Sequence, residues 1–151
     1  MNGYYYLVNR LKTYLEATGF INSVSIGDIY DIDLNKQTIF PLTHIIVNNA
    51  TPDVQTLSFN LSILFMDIVD ESKSETTSLF EGNDNTHDVL NTQLSIGNRL
   101  YLDLIRGELF DELVQITGTP SFEPFVDRFE NKIAGWTLTF DVSIPQDMTI
   151  C

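Results

Sequence analysis

The sequence predicts an α+β domain, a mainly antiparallel sheet with two helices packed on it. Three observations lead there. Trp136, Leu138, Phe140, Val142 and Ile144 alternate with Thr137, Thr139, Asp141 and Ser143, the period of a strand with one buried face. Leu57, Phe59, Leu61, Ile63 and Phe65 alternate in the same way with Ser58, Asn60 and Ser62. Two other stretches carry apolar residues at helical spacing instead. The last strand, flanked in pairing by 55–70 and 121–129, is expected at the centre of the sheet.

At 151 residues the chain is the size of one domain, 1–151, with enough length to bury a core without covalent or metal staples. Its one cysteine, Cys151, excludes an internal disulfide. The 21 acidic residues outnumber 8 basic ones, for a net charge of −13, which argues against a surface that grips phosphates. Residues 1–10 lack the basic start and apolar core of a secretory leader, and no stretch has the length of a membrane span, so a protein of the cytosol without membrane contact is expected.

Along the chain, Leu7, Leu11, Tyr14, Leu15 and Thr18 mark a first helix over Tyr4–Thr18, with Gly19 as its stop and Phe20 folding back on the last turn. Ser23–Ile29 and Thr43–Val47 read as short strands separated by a turn-rich segment containing Asp31, Asp33, Asn35, Lys36 and Pro41. Asn48–Asp53 carries turn chemistry. In 64–69 both faces become apolar, so that half calls for cover on both sides, from helices or another subunit. The whole run of 55–70 would extend ~50 Å as a strand, which suggests that part of it projects.

Residues 70–85 are rich in Asp, Glu, Ser, Thr and Asn and read as a mobile acidic loop, with Leu79 and Phe80 as its apolar anchors. A second helix is predicted over Thr86–Arg106, capped by Asn85, with Asp88 near its positive end and stopped by Gly107. Gly97 within it allows close packing on the sheet. Glu108–Thr117 adds a helical turn or a short strand that Gly118 and Pro120 end. Ser121–Phe129 is a strand confined by Pro124 to an edge or a bulge, and Glu130–Lys132 turns the chain into the last strand. The tail 145–151, with Met148 and Ile150, is a frayed end or an arm laid on a neighbour.

No catalytic constellation is legible, and a non-enzyme without cofactor or metal is expected. His44 and His87 lack metal-ligand spacing, and carboxylate pairs such as Asp31 with Asp33 or Asp67 with Asp70 are unavoidable in so acidic a chain. The eight glycines form no phosphate loop, dinucleotide fingerprint or nucleophile elbow. Tyr4, Tyr5 and Tyr6 serve either helix packing or an interface.

The short N-terminal helix, the run Leu57-Ser-Phe-Asn-Leu-Ser-Ile-Leu-Phe and the ending Gly135-Trp-Thr-Leu-Thr-Phe-Asp-Val-Ser-Ile-Pro145 resemble the tail-terminator and neck-ring proteins of tailed bacteriophages. The ending looks like those of small virion proteins from crAss-like phages. The resemblance implies a virion protein, made in the host cytoplasm, that forms a homo-oligomeric ring, commonly of six subunits, with a dodecamer as the other expectation. Such a ring contacts neighbouring neck and tail proteins, joins head to tail, ends the tube and lets DNA pass without specific binding. It implies a subunit interface among Tyr4, Tyr5, Leu79, Phe80, Met148 and Ile150, and a lumen or polar sheet face among Asp67, Asp70, Thr137, Thr139 and Asp141. A stopper, adaptor or tube protein is the alternative within that reading; a small-ligand-binding domain or an unrecognised carboxylate hydrolase is the alternative outside it.

Overall fold

A computed structural model describes residues 3–27, 39–69, 85–128 and 132–146. In chain order these form α1 (Gly3–Ala17), β1 (Ser23–Ile26), β2 (Leu42–Pro52), β3 (Thr56–Ile68), α2 (Thr86–Arg106), α3 (Glu108–Asp111), β4 (Gln115–Arg128) and β5 (Lys132–Pro145). The strands make one five-stranded sheet in the order β1-β2-β3-β5-β4. Every neighbouring pair is antiparallel except β1 with β2, so the fold is α+β with a mixed, mainly antiparallel sheet. The strand predicted at the centre, β5, does pair with both expected partners, but β3 occupies the middle position.

Both long helices lie on one face. Leu7, Leu11, Tyr14 and Leu15 of α1 and Ile96, Leu100 and Leu104 of α2 share one core with the alternate residues Leu57–Phe65 of β3 and Leu138–Ile144 of β5. The amphipathic period therefore does here what it predicts: one stripe per helix and one face per strand leave water together. Gly97 lets α2 approach closely, since a Cβ there would sit 2.7 Å from the Phe122 ring and 3.2 Å from that of Phe65. Gly135 is closer still: its Cβ would fall 1.9 Å from the Phe65 carbonyl oxygen, so β5 and β3 meet there with no room for a side chain.

Among the described residues, no helix covers the second apolar face of 64–69. Met66 packs with Phe40, Leu42 and Ile133, with Ile39, Leu64, Ile68 and Phe125 around them, so the chain entering β2 and the neighbouring strands close this corner of the back face. Trp136, expected in the core, is half-buried at its rim. Its ring stands edge-on to Phe122 at 6.4 Å, and its Nε1 donates to the Leu90 carbonyl at 2.8 Å, which a fully apolar pocket would not allow.

Two predicted breaks run through as strand. Asn48–Pro52, read as a turn, belongs to β2 and pairs with Leu57–Asn60, with an irregularity between Val47 and Asn49; the hairpin turn lies at 53–55. Gly118 and Pro120 do not end β4, because a register shift between Thr117 and Ser121 absorbs them, with Gly118 at φ +71°. Pro124 lies, as expected, on an edge strand. The helical turn expected after Gly107 is present as the single turn α3, and β4 follows it from Gln115. The predicted segments 28–38, the loop 70–84, the turn at 129–131 and the tail 147–151 lie outside the described residues.

Candidate functional site

Strand alternation puts Thr137, Thr139 and Asp141 on the sheet face opposite the helices. The cross-strand register lines them up with polar partners: Ser62, Thr139 and Ser121 in one row, Asn60, Asp141 and Thr117 in the next. Side-chain hydrogen bonds knit these rows. Asn48 donates through Nδ2 to Asn60 Oδ1 at 2.8 Å and to Ser62 Oγ at 2.9 Å. Asn60 Nδ2 in turn donates to Asp141 Oδ1 at 2.9 Å, and the Ser62 and Thr139 hydroxyls lie 3.4 Å apart. The irregularity at Asn48 thus turns an amide onto this face, where it crosslinks β2 to β3. Asp141 is exposed, while Thr137 and Thr139 are half-buried. Along this face of β3, β4 and β5 the described positions carry no Lys or Arg.

Asp67 does not join them. It pairs with Ala134, whose neighbours Val69, Val89 and Leu90 belong to the α2 side, and its carboxylate accepts from the Ile68 amide at 2.8 Å. Asp70, Leu79, Phe80, Met148 and Ile150 lie outside the described residues.

The N-terminal tyrosines divide. Tyr5 is 71% exposed and meets Tyr4 edge-on at 5.9 Å; Tyr4 leans towards Phe59 at 6.5 Å. Tyr6 donates to the Glu112 carbonyl at 3.2 Å, tying α1 to the residue after α3. The same junction holds an ion cluster that sequence reading missed. Arg10 of α1 pairs through Nη2 with Glu108 Oε1 at 2.6 Å and grips the Glu112 carboxylate through Nε and Nη2. The hydrogen bond from Arg10 holds the Glu112 carboxyl below its usual range, and the same bond raises the guanidinium further above its own. The partners are a hundred residues apart in sequence, so no local pattern announces them.

Beside the cluster, α1 and α2 enclose a cleft of about 300 Å³ lined by Arg10, Thr13, Tyr14, Arg99 and Glu108. Tyr14 donates from this wall to the Asp103 carboxylate. Burial, and then that bond, push its phenol well above the usual tyrosine range.

α3 ends unusually. The Val114 amide donates to the Leu109 carbonyl at 2.9 Å and the Leu113 amide to that of Phe110 at 3.1 Å, the paired bonds of a Schellman stop. The position that normally holds glycine is Leu113, at φ +67° and 53% exposed. The sequence signal was the spacing of Leu109 and Val114, both fully buried, whose contact accompanies such stops; the absence of Gly or Asn between them concealed it.

His44 is structural, as its isolation implied. Its Nε2 donates to the Gly27 carbonyl at 2.8 Å, which fixes the tautomer and leaves Nδ1 to accept from the Ser25 hydroxyl at 2.8 Å. This clamps β1 to β2. His87 is exposed at the start of α2. Among the described residues no cluster of three or more His, Cys, Asp or Glu is placed to hold a metal ion. Among the same residues no helix is long and apolar enough to cross a membrane. Comparison with protein-family models and with curated proteins finds no match to this chain.

Proposed function

We propose that this chain is a structural subunit of a tailed-phage virion, assembling as a homo-oligomeric ring at the neck or tail that joins head to tail, ends the tube and passes DNA. The observation that carries the reading is the sheet face opposite the described helices. Asn48, Asn60, Ser62, Thr139 and Asp141 form a hydrogen-bonded polar surface, and the described positions of β3, β4 and β5 that share this face include no lysine or arginine. On a chain of net charge −13, such a face suits a lumen, because it offers a phosphate backbone repulsion and no ion pairs to break as DNA slides. The helices, on the other face, take no part in that surface. Fold alone carries no function, so the reading rests on this face and on the resemblance.

The cleft between α1 and α2 is the feature that favours a small-ligand domain instead. Its lining is mixed, with Tyr14 and Ala17 beside two arginines, a glutamate and two threonines, where that alternative calls for an aromatic apolar enclosure.

Asp141→Lys tests the lumen. Asp141 is exposed and its carboxylate accepts from Asn60, so folding stability should fall by less than about 1 kcal/mol while ring assembly or DNA passage is disturbed. Unchanged infectivity of phage carrying Asp141→Lys returns that face to ordinary solvent exposure. Electron microscopy of virions with labelled protein should place it at the neck or tail, and its absence there sinks the assignment.

A further inference from the structure

Leu113 is an exposed leucine in the turn between α3 and β4. Leu113 stands immediately before β4, one edge strand, in a left-handed conformation that costs an L residue about 1–2 kcal/mol. Neither the helix stop nor the core uses its side chain: backbone amides make the stop, and Leu109 with Val114 makes the apolar contact beneath it. An exposed leucine at a strained position is therefore a knob that nothing among the described residues explains. Around it stand three carboxylates, Glu108, Asp111 and Glu112, against one guanidinium, Arg10.

At the other edge, α1 and β1 leave a groove of about 60 Å³ between Val8, Val24, Ile26 and Ile45, room for the tip of an aliphatic side chain. Ile26 is 45% exposed at its mouth. Lys12 stands on its rim, held only by a 3.8 Å pair with Glu16 in which both side chains are more than half exposed, a weak tie.

We propose that copies of this chain join head to tail, Leu113 of one copy seating in the α1–β1 groove of the next, with Lys12 facing the Asp111 and Glu112 carboxylates. The inference rests on the ring reading and supplies its subunit contact. Charge favours that polarity: two knobs meeting across a two-fold axis would bring together two patches that are each net negative after Arg10 is counted, whereas knob in groove brings one of them to a lysine. Knob and groove are different patches, one in the α3–β4 turn and one between α1 and β1, so a head-to-tail pair leaves one of each unused, the condition for a ring or chain. Pro120 and Pro124 cannot donate ladder bonds, which makes β4 a poor template for strand addition and leaves side chains to make the contact.

Sedimentation velocity on the full chain tests this with Leu113→Gly and Ile26→Glu, and with Lys12→Glu as a second groove variant on an exposed helix face. Each should be monomeric where the unaltered chain assembles, weakened at least tenfold, and Leu113→Gly should melt no lower than the parent. A 1:1 mixture of Leu113→Gly with either groove variant should give dimers and nothing larger, because one intact groove then meets one intact knob. Assembly by Leu113→Gly at the parent's concentration overturns the inference and leaves the ring reading standing. Open chains from the parent, with the mixture behaving as stated, uphold the contact and sink closure alone. A parent chain monomeric up to ~1 mM overturns both.

Discussion

Replacing Gly135 by alanine should be among the most damaging single changes in the sheet. The added Cβ would lie 1.9 Å from the Phe65 carbonyl oxygen and 2.9 Å from Met66 Cα, all backbone on the paired strand. A tolerable carbon–oxygen contact is about 3.3 Å, so β5 must retreat from β3 by more than about 1 Å at this pair. One or two ladder bonds at about 1 kcal/mol each are strained or lost. Phe65, in the helix-side core, and Met66, in the back-face cluster, are both displaced, an overpacking cost of about 1–3 kcal/mol. Together the loss is about 2–5 kcal/mol, a large part of the stability of a domain this size. Urea unfolding followed by circular dichroism measures it. Gly118→Ala is the control: the nearest atom to its Cβ is 4.0 Å away, so only the positive-φ penalty of about 1 kcal/mol applies. A loss below about 1 kcal/mol for Gly135→Ala would refute the claim that backbone contact, not propensity, demands glycine there.

Trp136→Ala should cost about 2 kcal/mol rather than the 3–5 of a fully buried aromatic, because the ring sits at the core rim and loses one hydrogen bond to Leu90 and the edge of Phe122. Thermal unfolding decides it, and a loss beyond about 4 kcal/mol would put the ring back in the core. Tyr14 binds its proton more tightly folded than unfolded, so the stability it contributes is complete below about pH 10 and drains away as pH rises towards its folded value. Ultraviolet titration should show a tyrosine that ionises late, and Tyr14→Phe should flatten the alkaline loss of stability; parallel curves for the two proteins would contradict this.

Much of the scaffold was legible. The helix Thr86–Arg106 agrees at both ends, with Gly107 as its stop, although the Asn85 side chain makes no cap hydrogen bond and the buried stripe of Val89, Gln93, Ile96, Gly97, Leu100 and Leu104 includes one polar residue. The β3 and β5 alternations chose the buried face correctly because each strand has one wet side. What failed did so where tertiary pairing overrides local chemistry. Asn48 and Pro52 are turn formers by propensity, but cross-strand amide bonds from Asn48 and pairing with Leu57–Asn60 keep them in β2. Gly118 and Pro120 survive inside β4 because a bulge on an edge strand needs neither amide nor ordinary φ there. Asp67 looked like a companion of Asp141, but an odd position on β3 and an odd position on β5 face opposite ways in this register. The Arg10 cluster and the groove beside β1 depend on segments distant in the chain, and no window of sequence contains them.

The strand order has a kinetic consequence. β2 with β3 and β4 with β5 are hairpins of neighbouring residues, whereas the seam between them joins Ile68 to Ile133 and Thr56 to Pro145, partners far apart along the chain. Local pairing closes first and the seam last, because the longer loop costs more entropy before any contact repays it. Until the seam closes, β3 and β5 are both open edges with apolar faces, each able to pair with the same strand of another copy. At high chain concentration the protein is thus exposed to hairpin exchange during synthesis, and slower expression at lower temperature should raise the yield of correctly closed chains.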